Sequence, residues 1–144
     1  MSIIVKFFVA PDDTSAGLAL RTGPGRGYES LSFGNFDPTE AVIEWECLLV
    51  GGSIDELVEA GEPRVVAGQD NDGCLVFVLS PRLSTALVDA GHSRLREIAA
   101  AWAQLLAEDG EDIDEGIAEV ILGELAALVG SARKQDQSVY CWVA

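Results

Sequence analysis

The chain has a single histidine, His92, and only nine lysines and arginines among 144 residues. A Ser–His–Asp or Cys–His catalytic set would have to use that one imidazole, which stands at a Gly91-His92-Ser93 junction between two helical runs. A solvated linker histidine is the plainer reading, and no GxSxG turn presents a nucleophilic serine. The three cysteines, Cys47, Cys74 and Cys141, are never in CxxC spacing, and each lies in an apolar run. A free cysteine there behaves as a small core hydrophobe. Neither a disulfide framework nor a zinc-ligand spacing is present, so no metal or cofactor is expected and a reducing cytoplasm is the expected location. No apolar run approaches the ~18–20 residues needed to cross a bilayer. Residues 3–10 contain Lys6 and lack both the basic leader and the small-residue cleavage site of a signal peptide.

Basic residues occur singly or in pairs, with no stripe and no aromatic RNA-binding motif among them. Against them stand 24 acidic residues, a formal charge of −15. Such a field repels nucleic acid and anionic membrane, and it speeds encounter with a basic partner. Apolar residues are plentiful, at 49%, so a packed core is expected and disorder is not. A chain of this length forms one domain over residues 1–144, burying about two thirds of its unfolded surface.

The organising stretch is residues 94–107, RLREIAAAWAQLLA, whose Leu95, Ile98, Ala99, Trp102, Leu105 and Leu106 repeat at the spacing of one helical face. A second helix over about 115–134 follows an acidic turn, and SVYCWVA at 138–144 closes the chain as a strand with two apolar faces, interior to a sheet. At the other end, residues 2–10 are β-branched and aromatic and predict the first strand. Residues 14–32 are the least regular. Their TGPGRG at 22–27 predicts a mobile surface loop, a small basic spot carrying Arg21 and Arg26.

Asp37-Pro38-Thr39-Glu40 opens a helix with a cap, a proline at the first helical position and an acid placed to reach back. Val42, Trp45, Leu48 and Leu49 are its expected buried face, and Gly51-Gly52 its end. Ser53-Ile54-Asp55-Glu56 repeats the capping pattern for a short helix, residues 64–67 suit a short strand, and CLVFVL at 74–79 predicts a strand buried on both faces. Ser80-Pro81 caps a helix over 82–90. In the last helix Gly116, Gly123 and Gly130 recur every seven residues and so stay on one side. Close approach to the alanine-rich face of the organising helix is one reading; Gly130 as a mere helix stop is the other. The fold class is therefore α+β, a small mixed or antiparallel sheet packed against about four helices.

Several stretches resemble binding motifs and fail in detail. Asp70-Asn71-Asp72-Gly73 has an EF-hand flavour, but with Gly73 at position six the first and twelfth ligands become Gly68 and Leu79. Glu108 to Glu115 fails likewise and reads as a solvated turn favouring the next helix N-terminus. Gly23-Pro24-Gly25-Arg26-Gly27 is neither GxGxxG nor a P-loop. Glu40 and Glu44 share a helical face, suiting either a carboxylate pair or a solvated surface.

The element order and three motifs, Leu48-Leu49-Val50-Gly51, a strand running into Ser80-Pro81, and Gly123-Glu124-Leu125 before a final strand, resemble the YfbM-type family of uncharacterised bacterial proteins. Where that family carries a tryptophan and histidines before its Leu-Leu-x-Gly, this chain has Val42, Ile43 and Glu46, with Trp45 out of register. The resemblance implies an α+β architecture and brings no activity with it.

Three functional readings follow. The first is a non-catalytic acidic binding protein recognising a basic protein partner, as an immunity protein recognises a toxin domain. The second is a small-molecule (anion) binding protein or enzyme using Arg21, Arg26 and Tyr28 near the 21–27 loop. The third is a homo-oligomer joined through Tyr140 and Trp142.

Overall fold

The computed structural model describes residues 4–25, 27–34, 36–68 and 74–144. The acidic 70–73 turn and Arg26 lie outside them. Strands β1 (Ile4–Ala10), β2 (Ser30–Gly34), β3 (Arg64–Gly68), β4 (Leu75–Val78) and β5 (Ser138–Val143) form one sheet in the order β2-β1-β5-β4-β3. Every neighbouring pair is antiparallel. The closing strand is thus the middle of the sheet, as its two apolar faces predict. Strand geometry sends alternate side chains to opposite faces, and the register aligns them in rows. Phe7, Cys141 and Phe77 lie side by side on one face, and Phe8, Tyr140 and Val78 on the other.

The helices are α1 (Asp13–Gly17), α2 (Pro38–Val50), α3 (Ile54–Glu59), α4 (Pro81–Asp89), α5 (His92–Glu108) and α6 (Glu115–Lys134). The Phe7 face packs against the larger helices, where Trp45, Leu83, Leu87, Trp102, Leu122 and Leu125 are fully or almost fully buried. Caps stand where the sequence puts them. Asp37 accepts the Thr39 N–H at 2.9 Å, Ser53 the Glu56 N–H at 3.2 Å, and Ser80 the Leu83 N–H at 3.1 Å. The organising helix is α5, two residues longer at its start and one at its end than its periodicity indicates.

The opposite face is closed by the irregular segment that leads into the 22–27 loop. Its first turns form α1, and beyond them Trp142 donates its indole N–H to the Leu20 carbonyl at 2.8 Å. Gly23 and Pro24 are buried, and Gly23 has φ +81; an added Cβ would come within 3.2 Å of the Trp142 ring. Glycine is needed there for its backbone and for its missing side chain. The indole beneath Leu20 and Gly23 comes from the far end of the chain and is not visible in the local sequence.

The heptad glycines also depart from expectation. α6 continues past Gly130 to Lys134, so Gly130 is no stop. A Cβ built on Gly123 or Gly130 meets nothing within 4 Å among the described residues, so neither serves a close approach between the described helices. With that space open, Gly123→Ala and Gly130→Ala should each stabilise the fold by about 0.8–1 kcal/mol, the usual helix preference for alanine. Urea denaturation of the two variants measures it; destabilisation would mean that these glycines have a role in packing.

Candidate functional site

Besides a groove of about 500 Å³ between the end of α2 and α4, two concave surfaces among the described residues gather several charged side chains. One is a cleft of about 730 Å³ at one end of the sheet, where β1 and β4 finish and β3 and β5 begin. Asp13, Arg64, Ser80, Arg133 and Tyr140 stand around a floor of Val78, Val129 and Val139. Three of its polar groups, Arg64, Asp13 and Tyr140, satisfy one another. Arg64 pairs with Asp13 at 2.7 Å, Tyr140 donates to Asp13 at 2.8 Å, and Arg133 donates to the Thr85 hydroxyl. These partners hold the Asp13 carboxyl below its ordinary range, the Arg64 bond contributing most, whereas burial first and then Asp13 push the Tyr140 phenol up.

Behind the cleft wall Ser80 donates its hydroxyl proton to the Glu46 carboxylate while accepting the Leu83 N–H. Glu46 is 5% exposed and Ser80 8%. This serine is engaged on both sides, as donor to a carboxylate and as cap acceptor for α4. Nearby, burial first and then the Glu46 charge raise the Glu62 carboxyl above its ordinary range.

The second surface is a groove of about 410 Å³ between α2, α3 and the end of α5, lined by Glu40, Ile43, Glu44, Ile54, Val58, Leu105, Glu108 and Asp109. Its floor is aliphatic, and Ile54 and Val58, four apart on α3, remain 48% and 55% exposed. Its rim is wholly acidic. Glu108 ends α5 and Asp109 caps it, with no basic residue in that last turn. Carboxylates there face the negative end of the helix dipole, the arrangement opposite to the stabilising one.

Ion pairs among the described residues engage Asp13, Glu97 and Glu119, and none of the groove acids. Burial first, then Glu40, Asp109, Glu111 and Asp37, push the Glu44 carboxyl up to about 7. Because the folded protein raises this group above its unfolded value, Glu44 favours the fold below about pH 4.5 and loses that contribution as pH rises through about 7. Glu44→Gln should therefore raise the melting temperature at pH 8 by about 2–4 °C, a gain of about 1 kcal/mol after discounting for solvent screening. At pH 4 the two proteins should melt together; a pH-independent difference would remove the titration from the explanation.

Of the residues read as an anion site, Arg21 and Tyr28 are placed apart from both surfaces. Arg21 is exposed on the loop after α1, Arg26 lies outside the described residues, and Tyr28 donates its hydroxyl to the Ser15 carbonyl at 3.2 Å while its ring meets Phe8 edge-on at 5.5 Å. Neither Arg21 nor Tyr28 lines the cleft or the groove. His92 is 81% exposed at the start of α5, 4.0 Å from Glu119. Of the carboxylate pair, both members belong to the groove. The sequence signals for the rest of it are the four-residue spacing of Ile54 and Val58 and, far along the chain, the acidic turn that begins at Glu108.

No protein-family model matches the chain, and no curated protein does. The fold is a single α+β domain, a five-stranded antiparallel sheet with helices against it. Among solved structures the chain is similar to one described as the crystal structure of a protein of unknown function, YfbM from Escherichia coli. The identity is 13% and the TM-score 0.43, covering 98% of this chain and 99% of that one. YfbM belongs to the family that the element order resembles.

Proposed function

We propose that this is a non-catalytic, cytoplasmic binding protein that recognises a basic protein partner, in the manner of an immunity protein. The observation that carries the reading is the α2–α3–α5 groove, where four carboxylates surround aliphatic side chains without one basic residue among them. Like charges gathered on a helix C-terminus and around a half-buried glutamate oppose folding, and a cationic partner would relieve that repulsion on binding. The net charge of −15 adds long-range attraction for the same partner.

The test is capture from a native lysate at low salt, followed by elution at high salt. A stoichiometric, basic protein released by salt is the expected result. Recovery of none, or of a partner whose retention ignores salt, would overturn the reading. A second reading, anion binding at Arg21, Arg26 and Tyr28, draws on Arg21, which is exposed and lacks a carboxylate partner among the described residues. Stabilisation by inorganic phosphate that Arg21→Ala abolishes would put it first.

A further inference from the structure

We infer that the groove between α2, α3 and the C-terminal end of α5 is the docking site for one amphipathic basic helix of a protein partner. That helix would present aliphatic side chains four residues apart to Ile54 and Val58, and flanking lysines or arginines to Glu40, Glu44, Glu108 and Asp109. The inference rests on the reading of the protein as a binder of basic partners, and names the surface and the chemistry that surface accepts.

The two halves of the groove argue together. An acidic rim alone would attract any cation, but Ile54 and Val58 project half-exposed from one face of α3, with Ile43 and Leu105 beside them. Aliphatic ridges at helical spacing flanked by charge are the pattern by which a groove receives an amphipathic helix. A volume of about 410 Å³ admits a few side chains and not a folded domain.

Other occupants fit less well. A hard divalent cation needs about six to eight oxygen ligands, whereas aliphatic side chains are interspersed here, and no metal-holding cluster occurs among the described residues. An anionic lipid surface meets four carboxylates. A second copy would set one acidic rim against another in any two-fold arrangement that pairs groove with groove.

Charge also gives the contact a pH dependence. Glu44 faces Glu40 and Asp37 from its own helix, Asp109 and Glu111 from the end of α5, and the uncharged Ile54 and Val58 from α3. Relief of that crowding by a cation is greatest when all five acids are ionised, so binding should strengthen as pH rises from 6 to about 8.

The experiment uses the full chain and two labelled synthetic peptides of equal charge. One is a lysine-rich helix with leucines at four-residue spacing; in the other, serine replaces each leucine. Fluorescence anisotropy should give at least tenfold tighter binding of the leucine peptide. Ile54→Ser with Val58→Ser should remove that preference, and Glu108→Gln with Asp109→Asn should weaken both peptides. The substituted side chains are exposed, and circular dichroism checks that the fold persists.

Equal binding of the two peptides, or groove variants indistinguishable from the parent, would overturn the groove assignment while leaving recognition of a basic partner to stand on lysate capture. Light scattering covers the remaining occupant. A dimer that the Ile54→Ser, Val58→Ser variant disperses would assign the groove to a second copy and overturn the proposal.

Discussion

Trp102→Ala will be among the most destabilising single substitutions in this chain, costing about 3–5 kcal/mol, the range for removing a fully buried tryptophan. Trp102 has no exposed surface. Its ring meets Trp45 at 5.1 Å and 77°, and Phe36 at 5.5 Å and 85°, so Phe36, Trp45 of α2 and Trp102 of α5 form one cluster in which Trp102 stands nearly perpendicular to the other two. Such pairs add about 0.5–1.5 kcal/mol beyond the area they bury, and alanine would open a cavity where α5 crosses α2.

Trp102→Phe separates packing from polarity. The indole nitrogens of Trp45 and Trp102 are both buried without a conventional hydrogen-bond partner among the described residues. Phenylalanine loses volume but also removes an N–H that burial had stripped of water. The cost should therefore fall to about 1–2 kcal/mol. Urea denaturation followed by far-ultraviolet circular dichroism measures both. A phenylalanine variant as unstable as the alanine one would mean that the indole N–H makes a bond the fold depends on.

Ser80→Ala should cost about 2–4 kcal/mol, from two losses at one atom. The hydroxyl caps α4 by accepting the Leu83 N–H, and it donates to the Glu46 carboxylate, which is 5% exposed. Without it the helix start and the buried carboxylate both lose their partner. Glu46→Gln keeps an oxygen for the serine proton and leaves the cap intact, so its cost should stay below about 1.5 kcal/mol. The contrast identifies the pair as a structural tie between α2 and α4. If Ser80→Ala left stability untouched, the hydroxyl would be free for another purpose.

These two sites illustrate which parts of the molecule were legible in the residues. Ser80, Ser53 and Asp37 were visible as caps because a cap is settled within three residues of itself. The central place of β5 was visible in the alternation of Val139, Cys141 and Val143 with Tyr140 and Trp142. β2 was missed, although Leu31 and Phe33 alternate with exposed serines; its two serines and closing glycine read as loop.

Glu46 was missed for a different reason. Nothing near it announces burial, since its partner lies 34 residues away on another helix. The groove combines both cases. The spacing of Ile54 and Val58 is local, but their exposure beside Glu44 and Asp109 follows from how three helices meet. Glu108 and Asp109, read as part of a solvated turn, prove to be the end of α5.

The bulge in β3 bears on how the molecule avoids sticking to itself. Val65 stands opposite Phe77 and Ala67 opposite Val76, which leaves Val66 as an inserted residue on an outer strand. An edge interrupted in this way bends and breaks the ladder of unpaired amides and carbonyls that a strand from another chain would need. Arg64, exposed at the start of the same five-residue strand, adds charge to it. Fibrillar pairing along this edge is therefore discouraged by backbone shape, even with Val65 half exposed to water.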